Sequence, residues 1–298
     1  MKTSLLKICF WLSLVSTALV QAAAPNDNYV VDTAWAQLPE GMEWGASTSN
    51  VAADGNGQVL VFVRTAPYFR FFNRDGSFVK AWGDAALFDQ PHSAIFDEAG
   101  NIWTTDSNGH VVRKFTVDGE LLMTLGKRGV TGDNSSTDSF NRPNAIAVAS
   151  NGDIYVSNGY ENSRIVHFDS EGHFVRIIGG IKGSEPGQLN VVHGVAIDSN
   201  GRILVNDSDN QRVTVFDSDG KFGETWPVPS RGVSVITADD TVYISDVNAG
   251  SIAILKDGRL IDTIPVPGRP HGLSLDSDGT LYISDSSNRV VMQITPKN

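Results

Sequence analysis

Three histidines recur at one position of a repeated motif. His92, His193 and His271 each lie eight residues before the glycine of a tight turn. The chain has six histidines, so half of them share this position, whereas His110 and the other two do not. Neutral imidazoles that meet at one point and leave a fourth position open form a catalytic zinc site. The alternative is that each imidazole only hydrogen-bonds a neighbouring repeat, but the shared position favours a metal site, with zinc as the cofactor.

The histidine motif belongs to a repeat of about 40 to 50 residues, a period typical of β-propellers. Each unit has two alternating apolar runs joined by a turn, then a polar loop, a third run and a turn into a fourth. Six such units predict an all-β fold, a six-bladed β-propeller. The histidines fall in the second, fourth and sixth units, about 120° apart in a six-bladed ring, so they should converge on its axis. The other units carry Ser49, Asn144 and Arg231 at this position.

The sixth unit is too short to contain a fourth strand. Only residues 295–298 follow its third run, which covers 290–294. The apolar segment 29–35 precedes the first complete unit. We therefore predict that this N-terminal strand completes the last blade and closes the ring, which removes exposed sheet edges.

The N-terminal segment has the features of a secretory signal. Lys2 and Lys7 flank the start of an apolar run, and small residues follow it. We predict a signal peptide over 1–24, cleaved near Ala22–Ala24, and a single propeller domain over 25–298. The only cysteine, Cys9, lies in the leader, so the mature chain has no disulfides. These features predict a secreted or periplasmic protein, and we expect a monomer.

The charge of the chain excludes some partners. The formal net charge is −11, and the two leader lysines account for part of the positive charge, so the mature chain is more acidic still. Such a surface repels nucleic acid and anionic membranes. No other apolar run is long enough to span a membrane. The sequence therefore predicts neither a nucleic-acid partner nor a membrane span.

Two segments carry a family resemblance. FNRPNAIAV at 140–148 and GDIYVSNGYENSRIV at 152–166 closely resemble the peptidyl-α-hydroxyglycine α-amidating lyases, zinc-dependent six-bladed propellers built from NHL-type repeats. The resemblance extends from about Ser49 to the C-terminus. It implies that the three recurrent histidines are zinc ligands, that Tyr160 is catalytic and that Arg64 holds the substrate carboxylate.

The resemblance also implies a reaction. A carboxylate-bearing carbinolamide would lose its hydroxyl proton to a base formed by zinc and Tyr160, and its C–N bond would break to give an amide and glyoxylate. A tyrosine can act this way only if neighbouring cations stabilise its phenolate. The family's monooxygenase domain is absent from the sequence, so a separate monooxygenase would supply a small-molecule or peptide substrate.

Some positions depart from the family. Arg269 replaces a methionine, Gly272 replaces an aspartate that helps to bind structural calcium, and Asn141 and Glu161 replace a cysteine pair. Arg269 would oppose a metal or bind a carboxylate. With Asn144 and Arg231 it forms our predicted set of substrate-binding residues.

Two other functions remain open from the sequence. The first is a different metal-dependent propeller enzyme, such as a lactonase or a streptogramin-lyase-like protein. The second is a non-catalytic NHL-repeat propeller that binds a peptide or protein. The three histidines and Tyr160 favour the lyase, whereas Arg269, Gly272 and the missing monooxygenase domain favour the alternatives.

Overall fold

The computed structural model describes residues 26–297, which form six four-stranded antiparallel sheets. The predicted signal peptide lies outside the described residues. The first three blades run from their innermost to their outermost strands as β2(Thr48–Ala53), β3(Gln58–Val63), β4(Phe69–Asn73) and β5(Phe78–Trp82); β6(Pro91–Phe96), β7(Ile102–Asp106), β8(Val111–Phe115) and β9(Leu121–Gly126); and β10(Ile146–Val148), β11(Ile154–Asn158), β12(Arg164–Phe168) and β13(Phe174–Gly179).

The remaining blades follow the same order. The fourth contains β14(Val192–Ile197), β15(Ile203–Asp207), β16(Arg212–Phe216) and β17(Phe222–Pro227); the fifth contains β18(Gly232–Ala238), β19(Thr241–Asp246), β20(Ser251–Lys256) and β21(Arg259–Pro265); the sixth contains β22(Pro270–Leu275), β23(Leu281–Asp285), β24(Val290–Pro296) and β1(Tyr29–Asp32). A 3-10 turn, η1(Ser208–Asn210), is the one helical element among residues 26–297. The prediction of a six-bladed propeller is therefore confirmed.

Buried side chains between neighbouring blades form the core. Between the first and second blades, Phe69 stacks on Trp82 with ring centroids 3.8 Å apart, and Phe88 and Phe115 pack against Phe69. Aromatic side chains supply large apolar area in this wedge-shaped space. The middle strands of the blades are almost wholly buried, which explains their near-continuous apolar runs.

A buried acidic or amide side chain ends the second strand of five blades. Asp106 accepts hydrogen bonds from the backbone N–H groups of Gln90 and Gly109, and Asn158 accepts one from Asn141. Asp207, Asp246 and Asp285 also accept backbone N–H bonds. These side chains thus fix the loops on the face where the innermost strands begin, a structural role consistent with their recurrence.

The ring closes as the sequence predicted. Strand β1 pairs antiparallel with β24, with Tyr29 opposite Pro296 and Val31 opposite Ile294. The half-buried side chains of Tyr29 and Val31 pack against the core of the sixth blade. No helix within residues 26–297 is long and apolar enough to cross a membrane.

The closing strand offers a matched pair of substitutions. Val31 faces the sixth-blade core, whereas its neighbour Val30 is 48% exposed. We expect Val31→Asp to lower the free energy of unfolding by about 1–3 kcal/mol, because a carboxylate loses hydration there. Val30→Asp should change it by about 0.5 kcal/mol or less. Denaturant unfolding would measure both, and equal effects of the two substitutions would contradict the observed closure.

Candidate active site

The three recurrent histidines meet on the axis of the ring. They lie near the starts of β6, β14 and β22, and their ring centroids are 5.0 Å (His92–His193), 5.1 Å (His92–His271) and 5.2 Å (His193–His271) apart. One ring nitrogen from each can be chosen so that all three lie within 4.8 Å of one another. The structure thus brings together the residues that the repeat pattern placed at one phase.

Backbone irregularities aim these imidazoles at the axis. The strand register shifts between Val192 and Gly194, and again between Pro270 and Gly272, so His193 and His271 each lie at a β-bulge. The register also shifts in the segment that contains His92. A bulge leaves one residue unpaired and turns its side chain away from the regular pleat. Plain alternation along a strand would not direct all three rings to one point.

The Nδ1 atoms of the histidines bind carbonyl oxygens of the next blade. His92 Nδ1 lies 2.8 Å from the oxygen of Asn144, His193 Nδ1 lies 2.9 Å from that of Val233, and His271 Nδ1 lies 2.8 Å from that of Ser49. A carbonyl can only accept, so each Nδ1 carries the proton. The Nε2 lone pairs are then free to face the axis, which is the arrangement of metal-ligating histidines.

Burial keeps the three imidazoles neutral. Desolvation lowers the pKa of His193 to about 3 and that of His271 to about 4, and it holds the pKa of His92 well below the usual value. The Arg64 charge lowers all three pKa values further. Only neutral imidazole can donate a lone pair to a metal ion.

The hydroxyl of Tyr160 faces two of the Nε2 atoms. It lies 2.8 Å from His92 Nε2 and 3.0 Å from His193 Nε2. The single hydroxyl proton can be donated to only one of these two lone pairs, and the hydroxyl makes no hydrogen bond to His271 Nε2. An excess of converging nitrogen lone pairs fits a bound cation. Imidazole ligands suit zinc, copper, iron and nickel, so the donors fit a transition metal without identifying it.

Opposing influences act on Tyr160. Burial raises the pKa of the phenol and outweighs the charges of Arg64, Arg142 and Arg231, which lower it. A phenolate base requires surrounding cations, and the three arginines alone do not offset burial, so a bound metal ion would have to add to them.

Arg64 follows β3 and is half-buried beside the histidines. Its Nε lies 3.4 Å from the hydroxyl of Ser49, and burial lowers the pKa of the guanidinium. Among residues 26–297, no carboxylate lies within ion-pair distance of Arg64. A partly buried cation without an anion is costly unless a ligand supplies one, so Arg64 fits the predicted role of carboxylate binding.

The other predicted substrate-binding residues differ in placement. Asn144 lines the axial channel with the histidines, and its amide nitrogen has no hydrogen-bond partner in the described part of the chain. Arg231 lies at the mouth, with its Nε 3.0 Å from Asp209. Arg269 is exposed, and only its backbone N–H, which donates to Asp285, has a partner within the described residues. The roles of all three in substrate binding stay predictions.

Arg231 does not share the histidine position, contrary to the sequence alignment. The fifth blade has its bulge at Val233, between Gly232 and Ser234. Its hairpin turns through Asp239 and Asp240 alone, both with positive φ. The corresponding turns of the other blades are longer. Counting eight residues back from the turn of the fifth blade therefore reaches Arg231, two residues before the equivalent position, Val233. The carbonyl of Val233, rather than Arg231, contacts His193.

Arg142 is a site residue that the sequence did not single out. Its guanidinium carbon lies 4.9 Å from the centroid of the Tyr160 ring. Its Nη1 is 3.5 Å from Glu161, so an ion pair joins the two loops. The only sequence signal was its place beside Asn141, one of the two positions where cysteine is missing.

The two positions that differ from the family near His271, Arg269 and Gly272, leave the histidine cluster unchanged. The pKa of His271 responds to burial and to Arg64, not to the nearer-in-sequence Arg269. At Gly272 a Cβ would lie 2.7 Å from Asn50 Cα, so the backbone leaves no room for the aspartate of the family. Within the described residues, the histidines are the one cluster of three or more suitable side chains, so no acidic cluster for calcium is found there.

The depressed histidine pKa values predict acid sensitivity of the metal-free protein. The folded-state pKa values of His193 and His271 are about 3 and about 4, whereas unfolded histidine titrates near pH 6.5. The unfolded chain therefore binds protons first, and stability is lost as the pH falls from about 6.5 towards 4. For three histidines we expect roughly 3 kcal/mol between pH 6 and pH 5. Denaturant unfolding in a chelator would measure it.

A substitution separates this effect from general acid denaturation. His271→Gln should reduce the pH dependence by about one third, because one of three buried imidazoles is removed. His173→Gln should leave it unchanged, since the His173 side chain is 72% exposed. An identical pH dependence in His271→Gln and the wild type would contradict the assignment.

Comparisons with known proteins bear on this site. The NHL repeat model matches residues 140–168 and 189–216. NHL repeat-containing protein 3 of Homo sapiens is 28% identical over 301 residues, which cover 91% of this chain and 85% of that protein. A probable peptidyl-alpha-hydroxyglycine alpha-amidating lyase of Caenorhabditis elegans is 27% identical over 290 residues, which cover 83% of this chain and 81% of that protein. The predicted resemblance is thereby confirmed.

A solved structure supports the fold. The virginiamycin B lyase from Staphylococcus aureus superposes with a TM-score of 0.64 at 13% identity, covering 90% of this chain and all of that chain (100%). At this identity the likeness concerns the propeller alone. The chain therefore contains NHL repeats in a six-bladed ring and has an amidating lyase among its relatives.

Proposed function

We propose that this chain, an NHL-repeat propeller related to the peptidyl-α-hydroxyglycine α-amidating lyases, is itself a metal-dependent carbon–nitrogen lyase. Its substrate would be a carbinolamide that carries a carboxylate, R–CO–NH–CH(OH)–COO⁻. The products would be the amide R–CO–NH₂ and glyoxylate. Zinc is the proposed metal.

One observation carries this proposal. A half-buried guanidinium without a carboxylate partner among the described residues, that of Arg64, lies beside three neutral imidazoles and a phenol. The site thus combines an anion-binding group, a cation-binding group and a candidate base. A substrate that has a carboxylate next to a hydroxyl-bearing carbon matches that combination, whereas a neutral peptide would leave Arg64 unpaired.

The residues of the chain divide the work. His92, His193 and His271 would hold the metal through Nε2, and a divalent metal supplies Lewis acidity that polarises a substrate oxygen. Arg64 would bind the carboxylate and so orient the hydroxyl towards Tyr160. The Tyr160 oxygen would take the hydroxyl proton, the C–O bond would become C=O, and the C–N electron pair would leave on nitrogen. Tyr160 would then return its proton to that nitrogen, so that no net proton is consumed.

The direct test is turnover. Chain purified without chelators is assayed with N-acyl-α-hydroxyglycine, and glyoxylate and the amide are measured. We expect equal amounts of both, abolished by a chelator and restored by zinc. Equal inertness of the chelated and the zinc-loaded protein would contradict the lyase proposal and favour a binding propeller.

Arg64 offers a test of substrate binding. Arg64→Gln should raise KM about 100-fold, because a charge-assisted bond to the substrate carboxylate is worth roughly 3 kcal/mol. Arg259→Gln, at an exposed position of β21, is the matched control and should leave KM unchanged. Steady-state kinetics on the carboxylate substrate and its methyl ester would measure both effects. An Arg64→Gln variant that keeps the wild-type preference for the free acid would contradict the role.

The substrate must come from an oxidation. Hydroxylation of a glycine α-carbon requires an oxygenase, so we propose that a separate monooxygenase supplies the carbinolamide. We also propose that the segment 1–24 exports the chain, which would place the reaction outside the cytoplasm. Detection of a mature N-terminus between Ala22 and Asn26 in the secreted or periplasmic fraction would test the export.

A different propeller enzyme is the second candidate. The structural likeness to the virginiamycin B lyase and the axial histidines are compatible with it. Cleavage of a lactone or a cyclic depsipeptide, with no turnover of hydroxyglycine compounds, would favour this alternative.

A further inference from the structure

Ser49 occupies in the first blade the position that histidine occupies in three others. The register of β2 shifts between Thr48 and Asn50, so Ser49 lies at a bulge just as His193 and His271 do. Its side chain is completely buried. A buried hydroxyl at a bulge is kept only where it is hydrogen-bonded, so its partners indicate its role.

Ser49 contacts three separate parts of the candidate site. Its carbonyl oxygen accepts a hydrogen bond from His271 Nδ1 at 2.8 Å. Its hydroxyl donates to the carbonyl oxygen of His92 at 2.8 Å and lies 3.1 Å from that of Pro91. The same oxygen accepts a hydrogen bond from Arg64 Nε at 3.4 Å. One residue therefore touches two predicted metal ligands and the predicted carboxylate-binding cation.

Hydrogen bonds of the same kind run around the ring. The hydroxyls of Ser157 and Ser245 donate to the carbonyl oxygens of His193 and His271, at 3.3 and 2.8 Å. The first, third and fifth blades thus hold the backbone of each histidine, and the histidines in turn donate to those blades. Of these three serines, Ser49 alone joins two histidines and Arg64 through a single residue.

We propose that Ser49 is a positioning residue that couples the metal ligands to the carboxylate-binding arginine. This inference rests on the proposed function of the site. Groups that orient metal ligands from outside the coordination sphere typically affect metal affinity by 10- to 100-fold. Because Ser49 also contacts Arg64, its hydroxyl fixes the position of the carboxylate-binding arginine relative to the metal-binding histidines.

Two serine variants distinguish a residue that couples the histidines to Arg64 from one that only supports a histidine. In Ser49→Ala we expect the Co²⁺ affinity to fall about 10-fold or more, with a changed visible absorption spectrum of the bound cobalt. The affinity of the cobalt-saturated protein for glyoxylate, measured by calorimetry, should also fall. Ser245→Ala removes a hydrogen bond of equal length that does not reach Arg64. It should weaken Co²⁺ binding but leave glyoxylate affinity unchanged.

The conservative variant guards against a folding artefact. Ser49→Thr retains the hydroxyl and should restore the cobalt spectrum and both affinities. Wild-type cobalt binding and glyoxylate binding in Ser49→Ala would overturn the inference while leaving the site intact. Absence of stoichiometric Co²⁺ in the wild type, or binding that is insensitive to His193→Gln, would overturn the proposed function and this inference with it.

Discussion

Substitution of His193 by Gln is expected to abolish stoichiometric metal binding. His193 supplies one of three converging Nε2 lone pairs, and the side-chain amide of Gln cannot reproduce the imidazole donor. If the 10–16 kcal/mol of a four-ligand zinc site is divided among its ligands, one ligand is worth roughly 3 kcal/mol, about a hundredfold to a thousandfold in affinity. We expect about one zinc per chain in the wild type and a small fraction of that in the variant.

The experiment needs a histidine that does not belong to the site. His173 is mostly exposed and faces Asp169, so His173→Gln is the matched control and should retain the metal. Metal content is measured by mass spectrometry on proteins purified without chelators. Equal metal in His193→Gln and His173→Gln would show that the ion does not bind at the axis. Absence of metal from the wild type, even after incubation with zinc, would remove the basis of the lyase proposal.

Removal of the Tyr160 hydroxyl should lower turnover strongly while the metal stays bound. In Tyr160→Phe the ring still packs beside His92 and His193, but the oxygen that lies 2.8 and 3.0 Å from their Nε2 atoms is gone. A positioned general base contributes about 10²- to 10⁴-fold. We expect kcat to fall by that factor, with KM and metal content little changed.

Tyr243→Phe is the control for this substitution. Tyr243 is a half-buried residue of β19 that packs against the core between the last two blades, away from the axis. The kcat of Tyr243→Phe should match that of the wild type. Retention of full turnover in Tyr160→Phe would exclude Tyr160 as the base. A fall in metal content in the same variant would instead assign it a role in holding the ion.

These two results together distinguish the proposed functions. Loss of metal and turnover in His193→Gln, with loss of turnover alone in Tyr160→Phe, is the pattern of a metal-dependent lyase. A binding propeller would show no turnover in any variant. A lactonase would cleave its lactone only with the metal bound, so it would lose that activity in His193→Gln. It would not turn over hydroxyglycine compounds in any variant.

The repeat made the fold predictable. Turn glycines and alternating runs recur because each blade must turn in the same places, so the strand order and blade count follow from the printed sequence. The missing strand of the sixth unit and the spare segment 29–35 sufficed to predict the closure that β1 and β24 form. The same periodicity brought His92, His193 and His271 to one phase and thus to the axis.

Other features of the site depend on contacts between blades. The carbonyl oxygens that accept hydrogen bonds from the Nδ1 atoms lie on neighbouring blades, so no single repeat encodes them. The shorter hairpin of the fifth blade led the count from the turn to Arg231, where the backbone places Val233. The repeat pattern also gave no weight to Arg142, whose guanidinium lies over the Tyr160 ring.

The sequence by itself determined the architecture and the convergence of three histidines, because these follow from residue type and period, whereas Tyr160 became the candidate base only through the family resemblance. Only the tertiary structure decided which ring nitrogen of each histidine faces the axis, because that depends on a carbonyl from the adjacent blade. It also showed Arg64 to be without a carboxylate partner among the described residues, and Ser49 to link Arg64 to two histidines. Such relations join residues far apart in the chain, and close packing around the ring creates them.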